Sequence, residues 1–129
     1  MKELRVIIAG SRNFDNLSKL TTYVADILSK IPVDGARKIR IISGMARGAD
    51  QMGEQYARNA GYEISRFPAD WDRLGKRAGY VRNDEMARFA VADGNTGVLI
   101  AFWDGKSKGT KHMIGLAGKY GLETHIVRF

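Results

Sequence analysis

Residues Leu4 to Gly10 read LRVIIAG, a near-continuous apolar run with several β-branched residues. A strand of this kind has both faces buried, so something must cover it above and below. The following sequence supplies the cover. Leu17, Leu20, Val24, Ile27, Leu28 and Ile31 recur at helical spacing after Asp15 and Asn16, two residues suited to N-capping. Pro32 and Gly35 stop that helix. Ile39 to Ser43 is a second strand, and Ala49, Met52, Gly53, Tyr56, Ala57 and Ala60 lie on one face of a second helix that Gly61 ends. Tyr62 to Phe67 is a third strand, polar enough for a sheet edge. Pro68 to Ala78 has no period and reads as a loop. A helix from about Tyr80 to Ala92, a strand from Val98 to Trp103, a helix from Thr110 to Tyr120 and a strand from Thr124 to Phe129 complete the chain.

Strands alternating with helices predict right-handed crossovers and a parallel sheet covered on both faces. The expected fold class is α/β: one Rossmann-like three-layer domain over residues 1–129, with five parallel strands and about four helices. At 129 residues and 44% hydrophobic content the chain has enough apolar side chains for one real core. It has no cysteine, which excludes disulfides, thiol catalysis and cysteine-ligated zinc. Its two histidines, His112 and His125, argue against a multi-histidine metal site, and no metal site is expected. No apolar run approaches the roughly 20 residues of a membrane span, and the apolar start is short for a signal segment. The expected location is the cytoplasm. A net charge of +7 favours anionic partners: nucleotides, nucleic acid or acidic proteins. The positive residues are scattered and do not alternate with aromatics. A homo-oligomer is also compatible with the sequence.

In a parallel sheet, ligands bind beyond the carboxyl ends of the strands, where the strand order reverses. The strand-to-helix loops are therefore the candidate site. In GSRNF, Gly10 permits a tight turn, and Ser11 and Arg12 offer a hydroxyl and a guanidinium to a phosphate; a plain turn with a solvated arginine is the alternative. In ISGMARGADQMG, Gly44, Ala46, Gly48 and Ala49 bare the backbone. That serves either close helix–sheet packing or a ligand resting on a helix start. Asp50 there stabilises the helix dipole, or binds ribose hydroxyls or a metal-bound water. The dipole and a nearby Arg82 are expected to keep Asp50 ionised at neutral pH.

In AGYVRNDEM, Arg82 shares a helical face with Met86, Phe89 and Ala90, so it points into the cleft beside Asn83 and needs Asp50, Asp104 or a ligand anion as partner. In FWDGKSKGTKHM, Asp104 ends a strand, and Lys106, Ser107, Gly109 and Thr110 form an anion cradle without the ending of a P-loop. Trp71, in PADWDRLGK, is either a hydrophobic plug or a lid that stacks on a base. Ser11, Arg12, Ala46, Asp50, Arg82 and Thr110 are expected to converge on one cleft.

Taken in order, GSR (Gly10–Arg12), SGMARGAD (Ser43–Asp50), PADW (Pro68–Trp71), AGYVRNDEM (Ala78–Met86) and DGKSKGT (Asp104–Thr110) resemble the YspA-like branch of the SLOG superfamily, which unites the DprA and LOG Rossmann-like domains. The resemblance implies a five-stranded parallel sheet and a pocket for a nucleotide or nucleotide-derived ligand, with a divalent cation accompanying the nucleotide as a further expectation. LOG-type relatives cleave the bond between base and ribose 5′-phosphate. They are similar to this chain at Arg82 and at Gly109–Thr110, but where they carry a glutamate this chain has Met113, leaving Asp50 or Asp104 to substitute, with Asp50 the better candidate for a catalytic carboxylate. DprA-type relatives bind single-stranded DNA, and the only evident stacking platforms for it here are Trp71, Trp103 and Tyr80. The leading expectation is a nucleotide-binding module. A nucleotide hydrolase and a single-stranded nucleic-acid binder are the alternatives.

Overall fold

The computed structural model describes residues 2–32 and 38–129. Strands β1 (Glu3–Gly10), β2 (Lys38–Ser43), β3 (Glu63–Arg66), β4 (Thr96–Trp103) and β5 (Glu123–Arg128) form one sheet in the order β3-β2-β1-β4-β5. All four neighbouring pairs are parallel. The expected α/β architecture is therefore the one found, and the polar β3 is an edge strand.

Side-chain alternation along β1 assigns the two layers. Val6 and Ile8 pack with Leu20, Val24, Ala49 and Ala57, from helices α1 (Leu17–Lys30) and α2 (Ala49–Ala60). Ile7 and Ala9 pack with Met86, Ala90, Met113 and Ala117, from α4 (Ala78–Val91) and α5 (Lys108–Tyr120). The apolar run is thus continuous because each face of the strand meets its own helix pair. Each fully buried Ile or Leu contributes about 1.5–3 kcal/mol relative to exposure. Asn16 caps α1, its side chain accepting from the Lys19 N–H at 2.9 Å. Gly35, expected as a stop for α1, lies outside the described residues.

Several boundaries differ from expectation, among them β4, which begins two residues early at Thr96, and two of the differences bear on the site. The stretch read as a loop holds a one-turn helix, α3 (Trp71–Leu74), and a 3-10 turn (Gly75–Arg77) that runs straight into α4 at Ala78. Asp70 starts this turn by accepting from the Arg73 N–H at 3.2 Å. None of the residues in α3 is buried, so it leaves no apolar period in the sequence. Helix α5 begins at Lys108, two residues early, because Ser107 and not Gly109 is its N-cap.

The sheet order reverses between β1 and β4. The loop after β1 runs to α1 on one face, and the loop after β4 runs to α5 on the other, opening a crevice at the carboxyl ends. Helix α2 comes unusually close to this point. A Cβ on Gly53 would lie 2.8 Å from Ile8 Cβ, and a Cβ on Gly10 would overlap the carbonyl oxygen of Phe102 and lie 2.9 Å from Ala49 Cβ. Gly53→Ala is therefore expected to destabilise the fold by roughly 1–3 kcal/mol through overpacking. Gly118→Ala, in open space on α5, is expected to stabilise it by about 0.5–1 kcal/mol. Urea denaturation midpoints of the two variants should move in opposite directions.

Candidate functional site

The loops after β1 and β4 are fastened to each other. The Ser11 N–H donates to Phe102 O at 2.9 Å, and Ser11 Oγ accepts from the Asp104 N–H at 3.1 Å. Ser11 is 1% exposed, so its hydroxyl first serves as this fastener. Asp104 in turn accepts from the N–H groups of Lys106 and Ser107, both at 2.8 Å, and these two backbone donors hold its carboxyl below the usual range. Ser107 Oγ accepts from the Thr110 N–H at 3.3 Å and sits 3.1 Å from Thr110 Oγ1. Trp103 Nε1 donates to Ser107 O at 3.1 Å, and the Arg128 guanidinium lies 5.2 Å from the Trp103 ring centre. The loop before α5 is thus held in one geometry by its own polar residues. The N–H groups of Lys108 and Gly109, in the first turn of α5, have no acceptor among the described residues and remain free for an anion.

Asp50 is the centre of the other side. It is the second residue of α2 and is 5% exposed. Ala46 N–H donates to its Oδ2 at 3.3 Å. Burial raises its pKa to about 6, against the lowering effects of the Arg82 charge, the backbone N–H groups of Ala46 and Gly10, and the Arg12 charge. At pH 7 such a group is mostly, though not wholly, ionised, so the expected carboxylate stands with a smaller margin than the dipole and Arg82 alone would give. Arg82 acts in the expected direction, but desolvation outweighs it.

Arg82 comes from the first turn and a half of α4. It donates through Nη1 to Gly44 O and through Nε to Asn83 Oδ1 at 3.1 Å. Burial lowers its pKa, and Asp50 acts against that. Gly44 explains how the two groups meet: a Cβ there would lie 2.7 Å from Arg82 Nη1 and 2.8 Å from Asp50 Oδ2. The space of a missing side chain holds both charges. Gly48 (φ 83°) has another role. Its backbone lies against the Ser11 and Arg12 carbonyls, where a Cβ would sit 2.6 Å from Ser11 O. Between these two glycines Met45 adopts a left-handed φ of 66°, uncommon for its type, with 43% of its surface exposed.

Gly10, Arg12, Ala46, Asp50, Trp71, Arg82, Asn83, Ser107, Gly109 and Thr110, all singled out by sequence, line one cavity of about 200 Å³ at the crevice. Ser11 and Asp104 line an adjoining concavity, and Gly44 another of about 190 Å³ beside Trp71. Lys106 is exposed and lines neither the cavity nor the adjoining concavity. Gly48 lines neither as well, because it packs against the β1 loop.

Asn83 is 6% exposed and joins the two halves of the cavity. It accepts from Arg82 and donates to Gly109 O at 3.2 Å, with His112 Nδ1 3.3 Å from the same nitrogen. Trp71 and Tyr80 stand at the mouth, 49% and 45% exposed. Met113, at the position where LOG-type relatives carry an acid, is part of the cavity wall and 1% exposed.

Sequence reasoning missed two residues. Lys76 lines the cavity from the segment read as a loop. Glu54 is 8% exposed, accepts from Ser43 Oγ at 2.6 Å and from Arg66 Nε at 2.9 Å, and so steadies the turn after β2, where Ser43 Oγ also accepts from the Met45 N–H at 3.0 Å. The signal was present: Glu54 follows Asp50 by four residues, on the same small-residue face of α2. Among the described residues, no group of three or more His, Cys, Asp or Glu is placed to hold a metal ion. Nor is any helix among them long and apolar enough to cross a membrane.

A family model described as YAcAr, the YspA, cpYpsA-related SLOG family, matches residues 4–74. That stretch carries Gly10, Arg12, Ala46, Asp50 and Trp71 but ends before Arg82 and the loop into α5. The "Gene 61 protein" of Mycobacterium phage D29 is 37% identical over 123 residues, spanning 92% of this chain and 91% of that protein. No solved structure matches the chain significantly. With more than half its length matched by the model, and nearly all of it by this relative, the chain belongs to the YspA, cpYpsA-related SLOG family.

Proposed function

We propose that the cavity binds a nucleotide or nucleotide-derived ligand. The observation that carries this reading is the juxtaposition of Asp50 and Arg82, two poorly solvated groups of opposite charge that face one cavity with no ion pair within 4 Å between them. Neither is placed there for the stability of the empty fold, since burying them without tight pairing is unfavourable. Family membership supports nucleotide-related binding or processing in general.

In this reading the Asp50 carboxylate accepts hydrogen bonds from ribose hydroxyls. The phosphate lies against the free N–H groups of Lys108 and Gly109, with Thr110 and Arg12 beside it. The base stacks on Trp71 or Tyr80 at the mouth. A divalent cation, where one takes part, comes with the phosphates and not as a resident ion. Arg82, fixed by Gly44 O and Asn83, supplies the positive field.

Hydrolysis of the ligand is a second reading, favoured by one observation. A carboxyl with a pKa of about 6 exists in both protonation states near neutral pH, as a group that gives and takes a proton must. The two readings separate on Asp50→Asn. In a binder, neither protein releases base or phosphate from nucleoside mono- and diphosphates, and the variant loses affinity. In a hydrolase, the wild type turns over and the variant loses turnover far more than affinity.

Binding itself is checked by isothermal titration with the same nucleotides. Arg82→Gln should weaken it about tenfold or more, with the fold intact by circular dichroism. Failure of every nucleotide to bind the wild type removes the proposal.

The raised pKa of Asp50 has a stability consequence of definite sign. The folded state holds its proton to about pH 6, whereas an unfolded aspartic acid loses it near 3.8. Stability is therefore full below the unfolded value and declines as pH rises through the folded one, by roughly 3 kcal/mol in total. Glu3 and Asp84, whose pKa values are lowered, contribute the opposite slope, so the difference between wild type and Asp50→Asn is the quantity to follow. The ligand-free variant should gain on the wild type in Tm between pH 4 and pH 7, while nucleotide affinity of the wild type weakens below pH 6. A constant Tm difference across that range would show that folding does not raise the Asp50 pKa.

A further inference from the structure

Beside the cavity lies an open concavity of about 750 Å³. Arg12, Ser107 and Gly109 line both, so the two form one continuous surface around the start of α5. We propose that this concavity is a second anion subsite, formed by Arg12 and Arg47, and that the ligand carries a second phosphate to fill it. The inference rests on the reading of the cavity as a nucleotide site and narrows it to nucleoside diphosphates or longer.

Two facts carry it. Arg12 and Arg47 stand on different loops, and those loops are pressed together at Gly48, where backbone meets the carbonyls of Ser11 and Arg12. The fold thus holds two like charges in one small concavity. Neither guanidinium has a hydrogen-bond, ion-pair or ring partner among the described residues. By contrast Arg5, Arg40, Arg66 and Arg88 each engage a carboxylate. Arg12 favours the ionised form of Asp50 across the cavity but makes no ion pair with it, and the other carboxylates nearby answer neither charge. Asp104 turns its Oδ1 to the N–H groups of Lys106 and Ser107, and Asp15, exposed in the same concavity, forms no ion pair with either arginine. A phosphate anchored at Ser107 and Gly109 sits on the shared wall. The next phosphate along the chain then falls between the two guanidiniums, whose planar donors suit it.

Isothermal titration of the whole chain tests this with the 5′-monophosphates and 5′-diphosphates of adenosine, guanosine, cytidine and uridine. For the preferred base, the wild type should bind the diphosphate about tenfold or more tighter than the monophosphate. Arg47→Ala should remove that preference and leave monophosphate affinity unchanged. Arg47 is exposed and unpartnered, so the variant should melt with the wild type. Equal affinity of the wild type for mono- and diphosphate overturns the subsite and leaves the cavity reading standing. So does a loss in Arg47→Ala that is equal for both. If none of the eight nucleotides binds the wild type, the cavity reading and the subsite fall together.

Discussion

The close approach of α2 to β1 is the contact on which the rest of this structure depends. Gly53 lets the helix backbone settle against Ile8, Gly10 admits Ala49, and Gly48 seats the turn before α2 on the β1 loop. With side chains at these points the helix would stand off the sheet. Asp50, in the first turn, would then be carried toward solvent, where a carboxylate at a helix start is an ordinary stabilising group. The same short distance that makes the helix pack well makes its first acid a buried one. The small residues between Gly44 and Gly53 therefore serve packing and site together, and most of the space they leave is already filled by Ile8, by carbonyls, or by the Asp50 and Arg82 side chains.

Burial at this point has an energetic signature. Asp50 and Arg82 both have their charged forms disfavoured by desolvation, and each is only partly relieved by the other. Met45 nearby holds a left-handed φ that costs of order 1 kcal/mol for a side chain of its type. A fold selected for stability alone would have no use for either feature at the same end of one sheet. Their concentration at the switch point, while the two hydrophobic layers are well packed and no buried side-chain polar atom among the described residues lacks a partner, marks where stability has been given up.

The architecture was legible because its signals are periodic. The apolar run of β1, the helical spacing of α1 and α2 and the alternation of elements all survive in one dimension. Ser11, Arg12, Asp50 and Thr110 could be placed because each follows a strand end within one short loop, and Arg82 because it shares a helical face with Met86 and Ala90 near the start of α4. What the sequence hid was non-periodic or relational. Helix α3 buries nothing, so no pattern announces it. Lys106 looked like an anion ligand by composition, but the Asx-type turn at Asp104 directs the loop through its backbone and leaves that side chain outside. Ser11 looked like a free hydroxyl, but its partner is an N–H more than ninety residues away. The rise in the pKa of Asp50 was hidden too, because the dipole is local and readable, whereas burial depends on how closely α2 meets the sheet.

The two sides of the cavity differ in how firmly they are held. The α5 side is locked by Ser11 to Asp104, by Asp104 to Ser107, by Ser107 to Thr110 and by Trp103 to Ser107, a chain of bonds that leaves its loop little freedom. Asn83 extends this order to Arg82 through Gly109. The opposite wall, carrying Trp71 and Lys76, is a helical turn with no buried side chain of its own, started by the Asp70 cap. Little apolar burial opposes its displacement, and segments of that kind open at low free energy. A rigid polar floor facing a loosely tethered aromatic wall suits a ligand with one anionic end and one planar end. The anionic end of such a ligand would be met by preformed donors with little reorganisation. Its planar end would be met by a surface able to adjust to it. Discrimination among bases would then be weaker than discrimination among phosphate arrangements, since the wall that yields reads less than the floor that does not.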